Sequence, residues 1–203
     1  MIEIEKKFLL TPAEEARLLD GAEFIKEKTI TDSYYDTDTY SVTLADRWLR
    51  RRDGVFELKE PLATGSGSYA GTNMYHEFDT EQEIRDILEL PSDTGDLAAD
   101  LESSGHFIFL QPTSQRRSYQ KDGFHFDIDT VTYADSDFTY AIAEIELLID
   151  KESDAPAATE RIMNYAKSYN LPTDVVVLGK VAAYLQHADP AHYDALKKAK
   201  ILK

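Results

Sequence analysis

The first eight residues restrict the fold more than any other part of the chain. In Met1-Ile2-Glu3-Ile4-Glu5-Lys6-Lys7-Phe8, Ile2, Ile4 and Phe8 alternate with Glu3, Glu5 and Lys7. Successive side chains of a strand point to opposite faces, so Glu3, Glu5 and Lys7 share one face and the apolar residues the other. The same spacing returns at Glu144 and Glu146, opposite Ala143, Ile145 and Leu147. Two distant strands that each present two carboxylates on one face predict a polar cavity that holds a divalent cation.

Further strands repeat the pattern. Trp48, Arg50 and Arg52 share one parity, as do Glu57 and Lys59. His125, Asp127 and Asp129 line up opposite Phe124, Phe126 and Ile128. A half-buried strand is ordinarily apolar inside and polar towards water. Arginine pairs beside a tryptophan, with repeated acid pairs, point instead to a barrel with a polar lumen and an apolar outer face under helices.

The rest of the chain supplies the parts. Strands are expected over 1–10, 22–36, 46–53, 55–60, 75–78, 105–120, 123–133 and 138–149. Asp53-Gly54 and Lys121-Asp122-Gly123 read as hairpin turns. Helices are expected over 13–20, 80–90, 95–102, 155–169, 174–187 and 190–200, the first capped by Thr11 with Pro12 in its first turn. The Gly-rich stretch 61–73 reads as a loop. This predicts an α+β, mainly β fold: an eight-stranded antiparallel barrel or tunnel with peripheral helices and a helical C-terminal part, forming one domain over 1–203.

Charge and composition narrow the function. The 203 residues include 22 Lys and Arg against 38 Asp and Glu, a net charge of −16. That argues against nucleic acid or an anionic membrane as partner, both of which need a basic face. It leaves room for a small anionic ligand in an internal basic pocket. Without cysteine there is no disulfide, thiolate metal site or cysteine nucleophile. No apolar run approaches the roughly 18–20 residues of a membrane span, and a cytoplasmic, monomeric protein is expected. Lys and Arg grip phosphate oxygens, whereas carboxylates repel them unless a hard divalent cation such as Mg²⁺, or alternatively Mn²⁺, lies between. A lumen with both sets is what metal-dependent triphosphate chemistry needs. The histidines His76, His106, His125 and His187 read as structural or surface residues.

The Glu3-Ile4-Glu5-Lys6-Lys7 run resembles the Glu-x-Glu-x-Lys signature of the CYTH superfamily, the triphosphate tunnel metalloenzymes. DSYYDTDTYSVTLADRWLRRRDGVFELKEP (32–61), FDIDTVTYADSDFTYAIAEIEL (126–147) and LGKVAAYLQ (178–186) place the chain nearest the thiamine triphosphatases of that superfamily. The resemblance implies an eight-stranded tunnel and Mg²⁺-dependent hydrolysis of thiamine triphosphate to the diphosphate. It assigns Lys7, Arg50, Arg52, Lys59, Arg116 and Lys180 to the phosphate chain, with Arg117 competing with Arg116. Asp127, Glu144 and Glu146 are assigned to metal, with Glu3 and Glu5 completing the acidic side and Glu77 as a further lumen acid. Trp48, helped by Tyr34, is assigned to the thiamine rings. Glu5, Lys7, Arg52 and Glu144 are expected to carry catalysis through a metal-oriented water, without a covalent intermediate. The alternatives are an inorganic tripolyphosphatase or nucleoside triphosphatase of the same fold, a class IV adenylyl cyclase, and a non-catalytic triphosphate binder.

Overall fold

The computed structural model describes residues 2–62, 68–69, 72–91, 93–134 and 136–202. Most of the loop expected at 61–73 lies outside them. The described strands are β1 (Ile2–Phe8), β2 (Glu23–Asp36), β3 (Trp48–Arg52), β4 (Val55–Pro61), β5 (Ser68–Tyr69), β6 (Thr72–Phe78), β7 (Phe107–Leu110), β8 (Pro112–Lys121), β9 (Phe124–Tyr133) and β10 (Ser136–Ile149). The described helices are α1 (Pro12–Leu19), α2 (Glu81–Leu88), α3 (Leu97–Ser103), α4 (Ala155–Ser168), α5 (Lys180–Ala188) and α6 (Pro190–Lys198).

Eight strands close an antiparallel barrel in the order β1-β10-β9-β8-β2-β3-β4-β6, and β6 returns to β1. The short β5 extends β6 as a hairpin, and β7 pairs with the far end of β2. The expected turns form as read. Asp53 and Gly54, and Asp122 and Gly123, all have positive φ, the backbone that two-residue turns between twisted strands require. In α1, Thr11 and Glu14 make reciprocal bonds: Thr11 N–H donates to Glu14 Oε2 at 2.8 Å and Glu14 N–H to Thr11 Oγ1 at 3.3 Å.

Two helical layers cover the outside. Ile2, Ile4 and Phe8 of β1 pack with Phe126, Ile145 and Leu147 against Ala158, Ile162 and Ala166 of α4. Leu49, Phe56 and Leu58 pack beneath Ile84 of α2 and Leu97 and Leu101 of α3. A third cluster lies inside one end of the barrel. Tyr34, Leu110, Val131, Tyr133 and Ile142 meet Val181 and Leu185 of α5 and Leu196 of α6. Val131 and Tyr133 share the parity of Asp127, and Ile142 pairs with Asp129, so this apolar set faces inward. The lumen is therefore polar in one part and apolar where α5 closes it.

The structure corrects three sequence readings. The strand expected over 105–120 divides at Gln111, between β7 and β8. The 75–78 strand starts earlier, at Thr72. The helix expected over 174–187 starts only at Lys180, capped by Gly179. Val175, Val176 and Val177 disfavour helix by their β-branching, and 174–179 runs without regular structure across the barrel end. Tyr140 Oη donates to Leu178 O at 2.8 Å, Tyr133 Oη to Lys180 O at 2.7 Å, and Lys6 Nζ to Val175 O at 3.0 Å, which pins this crossing. Among the described residues no helix is long and apolar enough to cross a membrane.

Candidate active site

Strand register assembles the acidic wall. Glu5 lies opposite Glu146 and Lys7 opposite Glu144 across β1 and β10, and Glu144 lies opposite Asp127 of β9. Carboxylate oxygens of Glu3, Glu5 and Glu146 lie within 4.8 Å of one another, as do those of Asp127, Glu144 and Glu146. Glu146 belongs to both groups. Among the described residues it has no hydrogen-bonding or ion-pair partner.

Cations face this wall from β3, β4, β8 and α5, and Lys7 of β1 stands within it. Arg50 Nε donates to Glu57 at 2.7 Å. Arg52 forks onto Asp32 through Nε at 2.6 Å and Nη2 at 2.9 Å. Lys180 Nζ reaches Asp32 at 2.8 Å and Ser114 Oγ at 3.3 Å. Lys59 pairs with Glu3 and, at 3.2 Å, with Glu77. Lys7 contacts Glu5, Asn73 Oδ1 at 3.2 Å and Glu144 at 3.7 Å. Arg116 bonds Asp127, Asp129 at 2.7 and 2.6 Å, and Glu144 at 3.2 Å. Arg117 points outward and pairs with Glu15 of α1 at 2.7 Å, whereas Arg116 lines the cavity.

These neighbours split the carboxylates electrostatically. Burial, reinforced by Glu3, Glu144, Asp127 and Glu5, pushes Glu146 well above the usual carboxylate range. Burial also raises Glu5 and Asp127 despite their cationic neighbours. Burial acts against ionised Glu144 too, but Lys7, Arg116, Lys59 and Lys180 outweigh it and hold Glu144 at about 2. At Asp32 the Arg52 bond, Lys180 and Arg50 likewise overcome burial and hold the carboxyl well below its ordinary value. Lys59 is raised because Glu3, Glu5 and Glu77 outweigh its burial.

The donor set meets the test for a hard cation. Both triads offer carboxylate oxygen alone, which suits Mg²⁺ or Mn²⁺ and not a thiophilic metal. Glu146, raised by burial and by its acidic neighbours and without a cationic partner among the described residues, is the group such an ion would neutralise.

Both walls line a cavity of about 780 Å³, within the range of small-molecule sites. Its apolar part includes Trp48, Tyr34, Val177, Ile201 and Leu202. Trp48 is half-buried, and its Nε1–H donates to Asp46 at 3.3 Å. Tyr75 Oη donates to the same carboxylate at 2.9 Å. The loop before Trp48 is held by buried Asp36, which accepts from Val42 N–H at 2.9 Å and Thr43 Oγ1 at 2.6 Å. Every residue singled out from the sequence for the site lines this cavity except Asp127, which lies against Arg116 beside it, and the alternative Arg117, which points outward.

Sequence reasoning missed Asp32 and Asn73, and gave Glu57 and Asp129 no role although it placed both on polar strand faces. Asp32 shares parity with Tyr34, which was the available signal. Asp129 was visible on the Asp127 face, where it accepts a two-pronged bond from Arg116.

A closed antiparallel barrel whose lumen opposes clustered carboxylates to arginines and lysines defines a tunnel protein suited to a polyanion and a hard cation. The chain belongs to the CYTH domain family, whose model matches residues 1–176. It is 33% identical over 207 residues to a thiamine-triphosphatase of Macaca fascicularis, covering 97% of this chain and 89% of that protein. Against the thiamine-triphosphatase of Homo sapiens it is 32% identical over 212 residues, with the same coverage. Two of the solved structures that share the fold illustrate it. One is a protein of Pyrococcus horikoshii OT3, with TM-score 0.59, 19% identity, and 84% of this chain and 91% of that chain covered. The other is a putative adenylate cyclase of Vibrio parahaemolyticus, with TM-score 0.60, 17% identity, and coverage of 92% and 98%.

Proposed function

We propose that this chain is a metal-dependent hydrolase that converts thiamine triphosphate to thiamine diphosphate and phosphate. Its family and its identity to the two thiamine-triphosphatases make it a phosphohydrolase of triphosphates. The particular substrate and metal are the proposal. The observation that carries it is one cavity lined by the Glu3–Glu5–Glu146 triad, six cations and a tryptophan in its apolar part, with the Asp127–Glu144–Glu146 triad at its edge.

In this reading Arg50, Arg52, Lys59, Arg116, Lys180 and Lys7 bind the phosphate chain and stabilise charge that spreads over the terminal phosphoryl group. Asp127, Glu144 and Glu146 would hold one Mg²⁺ or Mn²⁺, and Glu3 and Glu5 share Glu146 in a second group. Such an ion, when bound, polarises phosphoryl oxygen and makes water a better nucleophile. Water oxygen adds to the terminal phosphorus, the bridging P–O bond breaks, thiamine diphosphate leaves, and the proton the water loses passes to solvent or to the products. Lys7, between Glu5 and Glu144, keeps a cation where the carboxylates would repel the substrate. Glu77, more exposed and paired only with Lys59 among the described residues, tunes that lysine. Trp48 offers its ring face to the thiazolium cation, with Tyr34 beside it.

One observation favours inorganic tripolyphosphate as a second substrate: the cationic wall is complete without Trp48. The test of the main reading is Mg²⁺-dependent phosphate release from thiamine triphosphate. Glu144→Gln and Arg52→Ala should each reduce it by at least about 100-fold in folded protein, as loss of a charge-stabilising group does. Near-normal release in either would contradict the reading.

A further inference from the structure

Asp32 sits on the inner face of β2 and is fully buried. Its carboxylate joins two cations from distant parts of the chain. Arg52 comes from β3, and Lys180 from the first turn of α5. Each of them keeps donors in reserve. Asp32 takes the Nε and Nη2 edge of Arg52 and leaves Nη1 free of it, and Lys180 has three N–H groups of which Asp32 and Ser114 occupy two. Both residues line the cavity, so these remaining donors are available to an anion there. The backbone around Lys180 is fixed separately by Tyr133 and Tyr140. What Asp32 adds is control over the two charged side-chain ends.

We propose that Asp32 is a positioning residue that joins Arg52 and Lys180 into one clamp for the phosphate chain. This rests on the preceding reading for the class of ligand, a triphosphate. The low affinity of Asp32 for protons agrees with it, since the clamp stays intact wherever phosphate is ionised. Asparagine has the same shape, but its amide N–H₂ would meet an Arg52 or Lys180 donor and release the pair.

The sign of the effect separates positioning from simple charge. Removing a negative charge beside an anion site should, by Coulomb's law alone, tighten anion binding. The clamp predicts the opposite. Calorimetric titration with inorganic tripolyphosphate and measurement of kcat/KM should be run on the unmutated chain, Asp32→Asn, Arg52→Ala/Lys180→Ala and the triple variant. Asp32→Asn is expected to weaken binding and lower kcat/KM by about 10- to 100-fold, the scale of losing charged hydrogen bonds. In the Arg52→Ala/Lys180→Ala background the same change should alter binding by no more than about twofold. Tighter or unchanged binding in Asp32→Asn, or an equal loss in both backgrounds, would overturn the proposal, as would failure of the unmutated chain to bind tripolyphosphate. Should Asp32→Asn not fold, the single and double variants of Arg52 and Lys180 still decide. A shared clamp makes their losses non-additive, and fully additive losses overturn it. A chain that shows the binding pattern but hydrolyses no triphosphate would overturn the hydrolase reading and uphold the role of Asp32.

Discussion

Replacing Glu146 with glutamine should raise stability without divalent metal and remove most of the stabilisation that metal gives. Glu146 is shared by both carboxylate triads and has no cationic partner among the described residues. Its folded pKa is raised by burial and by four neighbouring acids. A carboxyl raised in the folded state adds its stability when protonated and loses it as pH rises through the folded value. At neutral pH the group therefore costs the fold stability, whether as a buried charge or as a proton taken up, unless a cation neutralises it. Glutamine imitates the protonated form, so Glu146→Gln without metal should melt above the unmutated protein near pH 7 and level with it in acid. With Mg²⁺ at about 100 times its dissociation constant, linkage stabilises the unmutated protein by about 2.7 kcal/mol. For a chain of this size that is roughly 5–10 °C in Tm. If losing the shared ligand weakens metal binding about 100-fold, the same Mg²⁺ concentration gives only about 0.4 kcal/mol, or about 1–2 °C. Differential scanning calorimetry with EDTA and with Mg²⁺ reads both effects. A Glu146→Gln protein that melts lower in EDTA, or keeps the full Mg²⁺ shift, would refute the reasoning.

Three further outcomes are expected. Trp48→Ala should lower kcat/KM for thiamine triphosphate by about 5- to 30-fold, the scale of a cation–π contact, and spare tripolyphosphate; equal losses in folded protein would remove the stacking role. Arg117→Ala removes contacts with Glu15 and Tyr119 outside the cavity, so steady-state assays should find kcat/KM unchanged within about twofold. Asp32 is held below its unfolded pKa, so its contribution is present above about pH 4 and is lost as pH falls further. Melting curves should therefore show the unmutated protein losing more Tm than Asp32→Asn between about pH 5 and about pH 3, and an equal loss would contradict the shift.

Much of the site could be read in advance because strands have period two. Glu3, Glu5 and Lys7, then Arg50 and Arg52, then Glu144 and Glu146, each fall on one face whatever the remaining fold does. Parity could not choose between Arg116 and Arg117, because it names a face only once the strand is placed, and the break at Gln111 was invisible. The register with β9 made the choice, setting Arg116 opposite Asp129. Asp32 escaped for a different reason. A single acid in a strand has many solvated explanations, and its meaning lies in Arg52 and Lys180, 20 and 148 residues away. The valine run before Gly179 carried a local signal against helix that the periodicity of 174–187 concealed.

The most direct test of the account is kcat/KM of the unmutated protein for thiamine triphosphate, tripolyphosphate and ATP, each with Mg²⁺. The account predicts metal-dependent release of terminal phosphate, with thiamine triphosphate preferred, tripolyphosphate next and ATP poorest. Preference for ATP, formation of cyclic AMP from it, or no phosphate release from any of the three would contradict it.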